Sequence, residues 1–416
     1  MLVRSRIVLP ISQPPIENGA VLISGQRIAA VGRWTDLAAQ HSGESIDLGE
    51  TVLLPGLVNA HCHLDYTDMA GKITPPKSFT DWIKSMVALK GSWNYTDFAQ
   101  SWVNGAKMLL RTGTTTVADI EAVPELIPDM WQATPLRVIS FRELIALKHR
   151  LNISEFVNPA VEQWAAMPGA QNRIGLSPHA TYTTSSELLQ LTAEKARERK
   201  WRLTTHVAES EQEFEMFMYR HGALYDWLKS QRDMSDCGHG SPVRHLDQLG
   251  YLDENLLAVH VNYLGRDDAL VLGNRKVSVA HCPRSHAYFR HLEFPRAELA
   301  AAGVNICLGT DSLASSVQAR HQPPLELNLF AEMQTLAHYS PDVPPAIILK
   351  MATVNGAQGL GLQGEIGELS PNALADLIAI PFSEKAASVY EAAVHHAGDV
   401  SASMINGTWA IQPALA

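Results

Sequence analysis

The sequence predicts an α/β chain, a (β/α)8 barrel with a small β-sandwich formed from the N- and C-terminal segments. Three observations predict it. Eight short runs dense in Val, Ile, Leu and Thr alternate with helical patterns, as in a parallel sheet buried on both faces. Metal-binding residue types stand at the ends of several of these runs, where a barrel gathers its chemistry. The two ends of the chain read differently from the middle, as short strands broken by turns.

The first segment, residues 1–53, carries Gly19 to Ser24, a Gly25-Gln26 turn, and Arg27 to Gly32. The barrel is expected over residues 54–363. Its strands read as Gly56 to Leu64, Thr114 to Ile120, Arg137 to Leu144 and Arg173 to His179, then Arg202 to Glu209, Leu256 to Tyr263, Lys276 to Pro283 and Asn305 to Asp311. Helical periodicity appears at Glu211 to Gln231 and Pro324 to His338. Thr184 to Glu187 has the spacing of a capping box. The stretch Gly71 to Arg111, with Pro75-Pro76 and then Phe79 to Ile83, is longer than a minimal crossover. It reads as a loop and helix over the barrel mouth. Residues 364–416 return to strand and hairpin signals at Pro371 to Ile380 and Val400 to Trp409. Neither end is long enough for its own core, so the two are expected to combine.

Composition narrows the class. The 416 residues are 46% hydrophobic and 18% charged, with a formal net charge of -10. That balance argues against a nucleic-acid polymer or an anionic membrane as partner and leaves a small molecule open. The N-terminal residues have no signal-peptide core, and no window approaches a membrane span. Four cysteines, Cys62, Cys237, Cys282 and Cys307, lack zinc-knuckle spacing, and three fall in expected strands. A cytoplasmic location is the default expectation.

Four positions read together as one metal site: His61, His63, His206 and Asp311, each ending an apolar run. Three imidazoles and a carboxylate suit a hydrolytic ion and leave room for a water. A lone His-x-His is as often a pair of surface or core histidines, and the strand-end His206 and Asp311 favour ligation. Glu209, three residues past His206, reads as a proton carrier beside the metal water, or as the acid of a helix start. His260, at the end of the sixth run, reads as a second-metal ligand or as a partner of the water on a single ion. His179 reads as a substrate hydrogen-bonder. Arg284, His286, Tyr288 and Phe289 are candidates for a heteroaromatic or anionic group. Trp82 and Arg142 are candidate pocket residues. His239, His245 and His291 read as surface histidines.

With Leu54 to His63, Ala352 to Ala357 and Ala375 to Ile378, these residues resemble the amidohydrolase superfamily, in its deaminase and chlorohydrolase branch. The resemblance covers nearly the whole chain and implies a barrel with a flanking sandwich. Two-metal members carry a lysine at the fourth strand end, where this chain has Pro178-His179. The resemblance therefore implies one divalent ion held by His61, His63, His206 and Asp311. Zinc fits these ligands best, and iron or manganese also accept them. It implies further that Asp311 and His260 orient the water and accept its proton. Glu209 protonates a ring nitrogen and then passes a proton to departing ammonia, while His179 contacts the heterocycle.

The activity so implied is hydrolytic deamination of an aminated heterocycle, such as an adenosine or S-adenosylhomocysteine type compound. Adenosine-type members tend to show His-Asn-Pro-x-Ser-Asn after the seventh strand. This chain has His281-Cys282-Pro283-Arg284-Ser285-His286, closer to the aminodeoxyfutalosine deaminase group. Arg284 and His286 would then meet a carboxylated aryl group or a sugar hydroxyl. Rivals are a triazine or guanine aminohydrolase and, in another class, a metal-free binding or scaffold protein. A homodimer stays open, since such barrels are commonly dimeric.

Overall fold

The computed structural model describes residues 1–74, 77–147, 151–169, 173–316 and 325–414. Sixteen strands in the described residues make two sheets. The barrel strands are β6 (Leu57–Cys62), β7 (Thr114–Glu121), β8 (Arg137–Leu144), β9 (Ile174–Pro178), β10 (Arg202–Val207), β11 (Leu256–His260), β12 (Ser278–His281) and β13 (Asn305–Leu308). All seven neighbouring pairs are parallel and follow chain order. The last strand reaches the first through Thr310 and Asp311, whose backbone N–H groups donate to the His61 carbonyl at 3.0 and 3.1 Å. Gly309 makes this approach feasible, since a Cβ there would stand 2.8 Å from His61 Cβ.

Each strand buries both faces, which explains its unbroken apolar reading. Val58, Ala118, Phe141, Val259, Ala280 and Cys307 share an interior cluster closed by Leu360 and Ile366. Leu57, Val117, Val138, Ala258, Val279 and Ile306, on the other faces of the same strands, join the larger core between strands and helices, with Trp102 and Trp164. The eight strands arise where expected but end earlier at their C-terminal ends in six cases. Ala208, His260, Val261 and Asp311 adopt left-handed φ of 48°, 73°, 51° and 53°. Such angles break strand pairing and are sparsely populated by residues other than glycine.

The terminal segments combine as expected into one β unit beside the barrel. β1 (Leu2–Val8), β2 (Ile16–Ser24), β3 (Arg27–Arg33), β4 (Ser45–Asp47), β5 (Thr51–Pro55), β14 (Leu377–Pro381), β15 (Ala402–Ile405) and β16 (Thr408–Ile411) form one hydrogen-bonded sheet. The join is β5 against β14, paired antiparallel from Pro55–Leu377 to Thr51–Pro381. One face of this pair, with Leu53, Leu377 and Ala379, closes a small core of its own. The other, with Val52, Leu54, Ile378 and Ile380, packs into the barrel's outer core. The barrel thus supplies the second layer of burial.

Three helical expectations also shift. The pattern from Glu211 to Gln231 is split into Glu211–Tyr219 and Ala223–Leu228, because Arg220 and Gly222 take φ of 58° and 99°. Ser185, one residue later than expected, caps the helix Ser186–Arg199 by accepting from the Leu188 N–H. The region after the first barrel strand holds two helices, Phe79–Ser92 and Tyr95–Arg111. Pro75-Pro76 and Pro324 lie outside the described residues, and the later helix runs Leu329–Tyr339. No described helix is long and apolar enough to cross a membrane. The four cysteines are buried free thiols.

Candidate active site

β6 brings His61 and His63 to the C-terminal end of the barrel, where its pairing with β7 slips between Asn59 and Cys62. Their rings meet edge-on with centroids 5.0 Å apart, and His206 of β10 lies 4.9 Å from His61. Asp311 faces both: its Oδ1 is 3.7 Å from His61 Nε2 and 3.8 Å from His63 Nε2. The ligand atoms of His61, His63 and Asp311 lie within 4.8 Å of one another, as do those of His61, His206 and His260. All of these residues are buried.

The donor set fits a divalent ion. His61 Nε2 and His260 Nε2 are buried without a hydrogen-bond partner among the described residues, a costly state for an imidazole. The His179 carbonyl accepts from both the backbone N–H and Nδ1 of His206, at 2.9 and 2.7 Å. A carbonyl only accepts, so Nδ1 carries the proton and Nε2 is left as a lone-pair donor. Burial brings His63 down to about 3 and holds His206 well below its usual range, so both stay neutral. Burial alone would raise Asp311, but the imidazoles of His61, His260 and His63 hold it ionised. Ser315 Oγ donates to its other oxygen at 3.2 Å.

Glu209 stands beside this cluster. Burial first, then the Asp311 and Glu213 charges, push its carboxyl well above the usual range. Its Oε1 is 3.6 Å from His260 Nε2, and burial lowers His260 to about 3. A carboxylic acid next to a neutral imidazole can donate a proton and then take one back.

A cavity opens over these groups. Trp82 and Met86 of the helix Phe79–Ser92, Ile145, Trp227 and Leu228 give it apolar walls. Trp82 stacks on Phe79 at 5.9 Å and meets Phe289 edge-on at 5.1 Å. His179 lines the same space, its Nδ1 2.8 Å from Thr183 Oγ1. Two charged residues absent from the sequence reading also line it: Lys90 Nζ is 3.7 Å from Glu143 Oε2 and 4.7 Å from the Tyr66 ring centroid. The sequence signal for Glu143 was its place next to the end of a barrel strand, but Arg142 beside it drew the assignment.

The protein-family model described as "Amidohydrolase family" matches residues 52–410. The chain belongs to the amidohydrolase family. A second model, an imidazolonepropionase-like composite domain of bacteria, matches residues 19–41. This amidohydrolase is 32% identical over 384 residues to the 5-methylthioadenosine/S-adenosylhomocysteine deaminase of Syntrophobacter fumaroxidans, covering 88% of the chain and 80% of the relative. The enzyme of the same name from Moorella thermoacetica is 31% identical over 431 residues, covering 98% and 93%. Helicobacter pylori aminofutalosine deaminase with methylthio-coformycin shares the fold at TM-score 0.86 and 19% identity, over 98% of this chain and 99% of that one.

Other sequence candidates lie elsewhere in the amidohydrolase. Arg284 and His286, on the helix Pro283–Phe289, do not line the cavity over the cluster. Arg284 donates to the Glu326 carbonyl at 2.8 Å and lies 3.7 Å from Glu332. His286 Nδ1 meets Asn262 Oδ1 at 3.0 Å, within a group of rings that includes His281 and His291. Tyr288 and Phe289 line a neighbouring pocket. Arg142 faces the outer helix layer, donating to the Ala160 carbonyl and Gln163, each at 3.0 Å. His245 is buried against Phe217 and His291 is half-buried, contrary to the surface reading, while His239 is exposed.

Proposed function

We propose that this amidohydrolase is a metal-dependent hydrolytic deaminase of adenosine-type nucleosides. One observation carries the reading: Glu209, its carboxyl pushed up by burial, lines one cavity with His63, His206 and Asp311, against which His61 packs. The curated relatives named above supply the substrate class. A Xanthomonas campestris adenosine deaminase that shares the fold, at TM-score 0.82 and 23% identity, has bound zinc.

His61, His63, His206 and Asp311 would hold one divalent ion, zinc by the donor types. When bound, it supplies Lewis-acid polarisation and a more acidic water. Asp311, ionised among imidazoles, orients that water and can take its proton. His260, neutral and with a free Nε2, is placed to hydrogen-bond the same water. Glu209 gives its proton to a ring nitrogen of the aminopurine, which makes the adjacent amidine carbon electrophilic. Water then adds at that carbon, the C–N bond breaks, and the amine leaves as ammonia with a proton returned through Glu209. Trp82 and His179 position the base, Trp82 by its aromatic face and His179 by a ring nitrogen.

Arg284 and His286 stay engaged away from the cavity, so the adenosine-type reading is preferred over aminodeoxyfutalosine. Ammonia release tests it on adenosine, 5′-methylthioadenosine, S-adenosylhomocysteine, aminodeoxyfutalosine, guanine and an aminotriazine. The highest kcat/KM on an adenosine-type nucleoside is expected. No ammonia from any of the six, or preference for guanine or the triazine, would sink the reading.

A further inference from the structure

Glu209 sits on a backbone that holds an unfavourable shape. Ala208 before it has φ of 48°, and the chain there has left β10. Two successive N–H groups, of Ala208 and Glu209, point away from the barrel ladder and need acceptors. Both find them in one side chain. Glu213 Oε1 accepts from Ala208 N–H at 3.0 Å, and Glu213 Oε2 accepts from Glu209 N–H at 2.8 Å. The Thr181 hydroxyl also donates to Oε1. Glu213 is in turn fixed by the helix Glu211–Tyr219, whose N-cap Ser210 accepts from the Glu213 N–H at 3.1 Å. From the other side, Asn262 Nδ2 donates to the Glu209 carbonyl at 2.9 Å, and its backbone N–H donates to the Ala208 carbonyl at 3.0 Å.

We propose that Glu213 is a positioning residue for the reaction, which with Asn262 clamps the Glu209 peptide so that its side chain faces the metal cluster. The proposal rests on the proton-carrier reading of Glu209. Glu213 is fully buried and does not line the cavity, so it touches neither substrate nor ion. A carboxylate is the group the geometry requires, since both oxygens accept and no donor is tolerated between two N–H groups. His286 acquires a place in the same chain, as the partner of the Asn262 amide oxygen.

The test is Glu213→Gln, measured beside Glu209→Gln by ammonia release from adenosine and 5′-methylthioadenosine, with bound metal and thermal midpoint determined. The amide keeps one acceptor and turns an NH2 toward an N–H. The expected result is a kcat about 10–100-fold lower, with KM changed less than about threefold and full metal content, because a small displacement of a catalytic group acts on the transition state. Asn262→Ala, which leaves both N–H acceptors intact, should show the same split and decides the matter should Glu213→Gln not fold. The proposal is overturned by an unchanged kcat, by a loss that tracks missing metal, or by an equal rise in KM. Full activity in Glu209→Gln would instead remove the reading of Glu209 itself. An inactive Glu209→Gln with a wild-type Glu213→Gln removes only the positioning role.

Discussion

His260 Nε2 stands 3.6 Å from Glu209 Oε1, and burial holds both side chains in their neutral forms. An acid beside an unprotonated imidazole is poised for proton transfer without a net charge to desolvate. Glu209→Gln keeps the size and polarity of the side chain but cannot carry the proton. Turnover should fall about 10²–10⁴-fold, the usual worth of a positioned acid–base group, while metal stays bound. Metal analysis paired with ammonia release reads both quantities. Turnover near wild type would take Glu209 out of the chemistry.

His260 itself separates two readings of the centre. If one ion is held by His61, His63, His206 and Asp311, His260→Ala leaves metal at one equivalent per chain. The rate falls roughly 10²-fold through loss of the hydrogen bond to the water. A ligand role would instead lower metal content together with the rate. Elemental analysis of protein purified without chelator gives the answer.

The barrel was legible because its strands are buried on both faces and so read as continuous apolar runs, from Leu57–Cys62 to Asn305–Leu308. The metal cluster was legible because a barrel gathers strand ends, which brings Asp311 to His61 across 249 intervening sequence positions. The joining of the two ends was legible too, but which terminal strands pair was not. Leu54 and Ile378 are each a strand residue by pattern, but nothing in the pattern pairs them into one sheet. Side-chain direction was the second gap. Arg142 and Glu143 are neighbours on β8, so one must face the helices and the other the cavity, and only the register decides which. The surroundings of Arg284 were hidden in the same way: it sits on a short helix whose partner, Glu332, is 48 residues away.

The ion should stabilise the fold as well as act in it. Among the described residues His61 Nε2 is buried without a partner, and an ion that binds only the folded chain would satisfy it. Chelation is expected to lower the thermal midpoint, and zinc to restore it. A hundredfold excess of free ion over its Kd corresponds to about 2.7 kcal/mol. An unchanged midpoint after complete metal removal would contradict this coupling.

Glu332 gives a pH dependence of stability distinct from the metal. Burial pushes its carboxyl up to about 8, although Arg284 lies 3.7 Å away and its backbone N–H donates at 2.8 Å. The folded chain therefore holds this proton where an unfolded glutamate, near 4.5, has lost it. The stability tied to the protonated form is complete below about pH 4.5 and is lost as pH rises through about 8. The slope approaches roughly 1.4 kcal/mol per pH unit between those values. Denaturant unfolding across this range should show a flatter profile for Glu332→Gln than for the parent chain. Identical profiles would mean that Glu332 ionises in the folded chain as it does in the unfolded one.

Lys90 and Glu143 offer the opposite case inside the cavity. Burial alone would raise Glu143, but Lys90, His179 and His63 outweigh it and hold the carboxyl below the usual range. Its stabilising contribution is thus present above the unfolded pKa and is lost as pH falls through the lower folded value. Lys90→Met removes the largest of the opposing groups. The Glu143 carboxyl should then move upward and take a proton at higher pH, next to His179, which lies 3.9 Å away. KM for a nucleoside is expected to become more pH-dependent on the acid side in this variant, with metal content unchanged. Adding Glu143→Gln to Lys90→Met removes the titrating group and should flatten the profile again. A KM that stays flat in Lys90→Met would show that the pair does not set the charge of the cavity wall.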